Sequence, residues 1–166
     1  MSRYELAQLN IARARAPLDS PVMADFVGNL ERINRLAETM PGYVWRLKDE
    51  SGDATALRPF GDDILVNMSV WKDVESLRAF MFRTDHTAIM RRRQEWFERM
   101  DEAYAVFWWV PAGHRPGMLE AWERLEHLRL HGASAQAFTL RTPFPAPDAG
   151  AEPLPPPFPD TVPATT

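Results

Sequence analysis

Residues 64–71 read ILVNMSVW, and the alternation within those eight letters decides the fold. Ile64, Val66, Met68 and Val70 share one side of an extended chain; Leu65, Asn67, Ser69 and Trp71 share the other. A period of two marks a strand. The same alternation runs through RYELAQLNIAR (3–13). There Tyr4, Leu6, Gln8, Asn10 and Ala12 oppose Ala7, Leu9 and Ile11. Residues 43–48 (YVWRLK) and 103–110 (AYAVFWWV) read as two further strands, and 137–142 as a short fifth.

Three helical patterns lie between them. Ser20 stands as an N-cap before Pro21, and Phe26, Val27, Leu30, Ile33, Leu36 and Ala37 recur at helical spacing up to Met40-Pro41-Gly42. A second pattern starts near Asp73, breaks at Thr84-Asp85-His86, and resumes through Ile89, Met90, Arg93, Trp96 and Phe97. The third spans 116–131 and ends at Gly132. Asp49 to Asp63 reads as a polar loop. The order is β-α-β-β-α-β followed by α-β. This is the α+β, ferredoxin-like split-βαβ order, an antiparallel sheet with helices on one face. All four strands are apolar enough for burial on both faces. The expectation is therefore that two sheets meet face to face in a homodimer, a dimeric α/β barrel.

Composition bounds the rest. Nine of the 15 prolines fall in residues 143–166, where no cation follows Arg141, and all six tryptophans precede that segment. Proline cannot enter a helix interior or a central strand, and the segment's few apolar residues do not offset ordering entropy. The expected domain is 1–142, with 143–166 an extended tail. The net charge of −4 leaves the domain near neutral, which argues against a nucleic-acid binder. Arg91-Arg92-Arg93 is read as a solvated helix face. No apolar run is long enough for a membrane span, no secretory pattern opens the chain, and the absence of Cys removes thiolate chemistry. A cytoplasmic location is the expectation.

The runs NMSVWKDVESLRAFMFRTDHTAIMRRRQEWF (67–97), FWWVPAGHRPGMLEAWERLEHLRLHG (107–132) and AFTL (137–140) resemble the bacterial family called domain of unknown function 3291, of the dimeric α/β-barrel superfamily. A wider resemblance is to antibiotic-biosynthesis-type monooxygenases, which carry a strand ending in an aromatic residue, a helix, then Ser-Pro-His-Phe. Trp71 ends the strand here, and in Thr84-Asp85-His86-Thr87 only His86 matches. That resemblance implies oxidation of an aromatic substrate without metal or flavin. Related haem-degrading enzymes use an Asn on the first strand, matched by Asn10, and a Trp where Phe80 stands. Met90 occupies their ligand position, with His86 one turn earlier as the substitute haem ligand.

From these residues a candidate site follows. His86 is the candidate base, because an imidazole titrates near neutrality; the alternative is a histidine that only caps a helix junction. Asn10 and Asn67 are candidates for holding an oxygenated intermediate, and Ser69 for orienting a ligand. Trp71, Phe80 and Trp108 are candidate aromatic walls, and His114 and Arg115 candidates for a pocket mouth. His127 and His131 stand at i, i+4 with Glu123 one turn earlier, but without HExxH they read as a helix end rather than a metal site. The expected function is a cofactor-independent monooxygenase-like, or cyclase- or dehydratase-like, enzyme acting on an aromatic or polyketide-type metabolite. The alternatives are a haem-binding barrel and a non-catalytic ligand-binding barrel.

Overall fold

The computed structural model describes residues 2–48, 55 and 57–150. Four strands form one antiparallel sheet: β1 (Tyr4–Arg13), β2 (Tyr43–Arg46), β3 (Ile64–Trp71) and β4 (Ala105–Pro111). Their spatial order is β2-β3-β1-β4. With α1 (Ala24–Thr39) between β1 and β2, and α2 (Val74–Phe82) between β3 and β4, this is the ferredoxin-like arrangement. The second helical pattern breaks as expected and continues as α3 (His86–Arg91) and α4 (Arg93–Trp96). The last helix, α5 (Met118–His131), stops at Gly132, whose φ of +75° suits a residue without Cβ and whose N–H donates to the Leu128 carbonyl at 2.9 Å.

Register places the alternation in space. Leu6, Gln8, Asn10 and Ala12 lie opposite Trp71, Ser69, Asn67 and Leu65 across the β1–β3 pair, so these eight residues share one face. The helices α1 to α4 cover that face, packing Ala37, Val74, Leu77, Phe80, Met81 and Met90 onto Leu6, Trp71 and Phe107. The first turn of α2 comes so close to the turn between α1 and β2 that Gly42 is required. Its φ is +87°, and a Cβ there would stand 2.1 Å from Ser76 Oγ.

Three expectations are corrected. Ser20 precedes a single 3₁₀ turn (Pro21–Met23) and makes no side-chain cap; its hydroxyl is buried without a partner, and α1 starts only after Met23. The fifth strand reduces to one bridge, in which Phe107 and Phe138 exchange N–H···O bonds of 2.9 Å. Tight turns at Ser134–Ala137 and Thr139–Thr142 stop it from extending. The helices do not all lie on one face. Ala121, Leu125 and Leu128 of α5 pack on the opposite side of the sheet, against Ala7, Leu9, Ile11, Val106 and Trp108. The uncovered apolar face from which a second sheet was expected is thus occupied by the chain's own helix.

The chain also continues in contact with the domain beyond 142. Phe144 packs on Phe138, its carbonyl accepts the Trp109 indole N–H at 2.8 Å, and Asp148 accepts from the Ser2 hydroxyl and the Arg3 N–H, each at 2.7 Å. The remainder of the expected tail, 151–166, and most of the expected 49–63 loop's first half lie outside the described residues.

Candidate functional site

Between the α1–α4 layer and the sheet is a cavity of about 190 Å³. Its wall is a column of rings. Tyr43 meets Trp71 edge-on at 5.7 Å, Trp71 stacks on Phe80 at 5.2 Å, and Phe80 stands 4.6 Å from the His86 ring. Two threonines position the last member. Thr84 Oγ1 donates to the Phe80 carbonyl and Thr87 Oγ1 to the Met81 carbonyl at 2.8 Å, satisfying acceptors that the end of α2 leaves open. Thr84 Oγ1 also accepts the His86 N–H at 3.2 Å. The break read from Thr84-Asp85-His86 is therefore a capped corner that starts α3 with its histidine at the cavity wall.

The floor is a polar ladder across β1 and β3. The Trp71 indole can only donate, so Ser69 Oγ accepts from it, at 2.9 Å. The same oxygen accepts from Gln8 Nε2 at 2.8 Å, and Asn67 Oδ1 accepts from Gln8 Nε2 at 2.6 Å. With both acceptors engaged, the Ser69 hydroxyl proton and the Asn67 amide N–H groups are left to point elsewhere. Asn67 is the one exposed residue of β3, and among the described residues the strand pairing of β2 with β3 ends at Arg46 and Ser69. Asn10 lies directly opposite it on β1 and is 8% exposed. The cavity floor thus presents the Ser69 hydroxyl and the Asn67 amide N–H groups beside the amides of Gln8 and Asn10, and Asn67 is exposed.

His86 has its Nδ1 shielded and without a hydrogen-bond partner. Burial pushes its pKa down to about 4, against the opposing pull of a hydrogen bond to the Met81 backbone. The ring is neutral at pH 7 and offers a lone pair or an N–H according to tautomer. Burial raises the Tyr43 hydroxyl's pKa, with the nearby Glu38 adding to the effect, so that phenol stays protonated.

Six sequence-predicted residues line this one cavity: His86, Asn10, Asn67, Ser69, Trp71 and Phe80. Three do not. Trp108 is fully buried on the other face of the sheet, because it is one position out of phase with Phe107 and Trp109. His114 and Arg115 lie past the end of β4, where His114 Nε2 meets Glu120 at 2.9 Å and Arg115 meets Glu5 at 3.5 Å. They reach a carboxylate each and not the cavity. Gln8 and Arg93 were missed. Gln8 was legible as a third polar residue on the Asn10 face; Arg93 stood in a run that looks solvated.

A haem does not fit here. Sites that bury drug-sized ligands occupy roughly 300–1,000 Å³, and a cavity of about 190 Å³ is smaller than that. The Phe80 ring also stands 4.6 Å from His86, the one imidazole among the described lining residues. Among the described residues, no group of three His, Asp or Glu side chains is placed to hold a metal ion, and no helix is long and apolar enough to cross a membrane.

The family model described as Domain of unknown function (DUF3291) matches residues 5–153. A search of curated proteins finds no match. Among solved structures, the chain is similar to a protein of unknown function from Nitrosomonas europaea, at 17% identity over 69% of this chain and 97% of that one, with a TM-score of 0.42. It is also similar to SnoaB, a cofactor-independent oxygenase from Streptomyces nogalater, at 16% identity over 69% and 96% of the two chains, TM-score 0.42. A dabb family protein with a ferredoxin-like fold from Mesorhizobium loti is 14% identical over 68% and 98%, TM-score 0.39.

Proposed function

The chain belongs to the DUF3291 family, and from the lining of its cavity we propose that it is a small-molecule enzyme acting on a planar aromatic compound of one or two rings by cofactor-independent oxygenation. One observation carries the proposal: the buried, neutral imidazole of His86 lines the same aromatic-walled cavity as the amides of Asn67 and Asn10. That combination takes a proton from a ligand and holds the resulting anion. A ring whose conjugate acid has a pKa of about 4 is a weak base. Proton transfer to it is productive only where the anion is stabilised, which is the work of the Asn67 and Asn10 amides.

The chemistry then belongs to the substrate. A phenolate in an apolar, water-poor cavity carries electron density onto a ring carbon, passes one electron to O₂ and recombines to a hydroperoxide. His86 returns its proton to form that hydroperoxide and then accepts the C–H proton as the O–O bond breaks to give a carbonyl, and the leaving hydroxide takes that proton to become water. For 1-naphthol the sum is one phenol and one O₂ giving 1,4-naphthoquinone and one water. The reading needs no second copy of the chain, because one chain builds the whole cavity.

An oxygen electrode and product analysis test it. With 1-naphthol the protein should consume O₂ with quinone formed one for one. His86→Ala should lower the rate by about 10²-fold or more while the fold is retained. Binding of 1-naphthol without O₂ uptake, or an unchanged rate in His86→Ala, would contradict the catalytic reading.

A further inference from the structure

The charge inventory of the cavity is one-sided. No Asp or Glu is among its described lining residues, while two arginines are. Arg46 is neutralised by Glu38 at 2.8 Å. Arg93 is not: among the described residues no carboxylate pairs with it. Its neighbour Arg92 takes both nearby acids, Asp25 at 2.7 Å and Glu95 at 2.8 Å. The Arg93 guanidinium instead lies over the rings of Tyr104 at 4.6 Å and Phe97 at 5.4 Å. Its pKa is lowered by burial, opposed by the charge interaction and the side-chain hydrogen bond it makes with Tyr104.

The position follows from the break between α3 and α4. Arg92 has non-helical torsions (φ −92°, ψ 4°), which shifts the phase of the helix. Arg93 therefore turns inward with Trp96 and Phe97 while Arg92 stays with the surface acids. This guanidinium is hydrogen-bonded to the Tyr104 side chain, and no carboxylate among the described lining residues of the cavity supplies a counter-charge for it. Burying an unpaired cation is costly, and a ligand carboxylate removes that cost with charge-assisted hydrogen bonds.

Resting on the proposed ligand class, we infer that the occupant is an aromatic anion, an arene bearing a carboxylate or a comparably acidic group, and that Arg93 is the residue that anchors it. The donor-rich floor and the guanidinium then select the same sign of charge, and the aromatic column selects the ring.

The matched pair 1-naphthoate and 1-naphthamide tests this, because the two share a ring system and differ in charge. Binding is read by quenching of tryptophan fluorescence, independently of any turnover. The wild-type protein should bind naphthoate roughly tenfold or more tighter than the amide, with the preference shrinking as salt rises. Arg93→Gln should lose that preference while binding the amide within about twofold of wild type. Arg93→Lys, which keeps the charge, should retain part of it, and remains informative if Arg93→Gln fails to fold. Equal affinity for both probes in the wild type, or a preference that survives in Arg93→Gln, would overturn the inference and leave the aromatic cavity standing. Failure of both probes to bind would overturn the cavity reading and this inference together.

Discussion

Trp71 and Trp108 belong to one sheet and are equally buried, at 1% and 0% exposure, yet their indoles meet different surroundings. Trp71 points toward α1–α4, where its N–H donates to Ser69 and its ring joins a stack ending at His86. Trp108 points toward α5, into a layer of Ala, Val, Leu and Ile, and its N–H finds no acceptor. The first face holds a cavity and a satisfied polar ladder. The second holds close-packed apolar side chains. The difference teaches a division of labour. Apolar packing is concentrated where α5 seals the sheet, and the candidate site lies where the helices stand off it.

Substitutions should separate the two faces, starting with the largest effect. Leu125 is fully buried between α5 and the sheet. Leu125→Ala should cost about 2–5 kcal/mol in chemical denaturation and leave naphthoate affinity of the folded protein unchanged. A loss of affinity at unchanged stability would break the division.

The next effect depends on pH. The folded His86 pKa of about 4 lies below the unfolded value near 6.5. The unfolded chain therefore takes up the proton first as pH falls. The stabilisation is fully present above the unfolded value and is lost as pH drops from about 6.5 toward 4. Linkage sets its ceiling at about 3 kcal/mol. His86→Phe should flatten that part of the stability profile relative to wild type, as urea melts at pH 7, 5.5 and 4.5 will show. A parallel profile in the variant would mean that His86 is not held neutral by burial.

Ser69→Ala leaves the Trp71 indole and one Gln8 donor without their shared acceptor. It should cost about 1–3 kcal/mol and also weaken ligand binding, because the Asn67 amide loses its support through Gln8. The smallest effect is expected away from both faces. Arg124→Ala removes an exposed hydrogen bond to the Gln136 carbonyl and should change stability by no more than about 1.5 kcal/mol, with no change in binding.

Much of this was legible because strand alternation is unambiguous. The residues of 64–71 and 3–13 sort onto the two faces as their letters predict, and with them Asn10, Asn67, Ser69 and Trp71. The Thr84–His86 break was readable too, since three short polar residues interrupt an apolar helix. What was not legible depends on phase and on long-range placement. Trp108 and Trp109 are adjacent tryptophans in an apolar run, and only the pairing with β1 tells which one faces inward on which side. Arg93 looks like its two neighbours in sequence, and a single non-helical residue at Arg92 turns it the other way. The position of α5 depends on how the Ala112–Gly117 connection leaves β4, which no local pattern encodes. Phe144 and Asp148 anchor a stretch whose composition reads as tail.

The most direct test is a ¹H–¹⁵N NMR titration of the wild-type protein with 1-naphthoate, following the six tryptophan indole N–H signals. The account predicts that the Trp71 signal shifts together with the side-chain amides of Asn67 and Gln8, while the Trp108 signal does not move. Shifts centred on Trp108 and α5, or no shift at any indole, would contradict it.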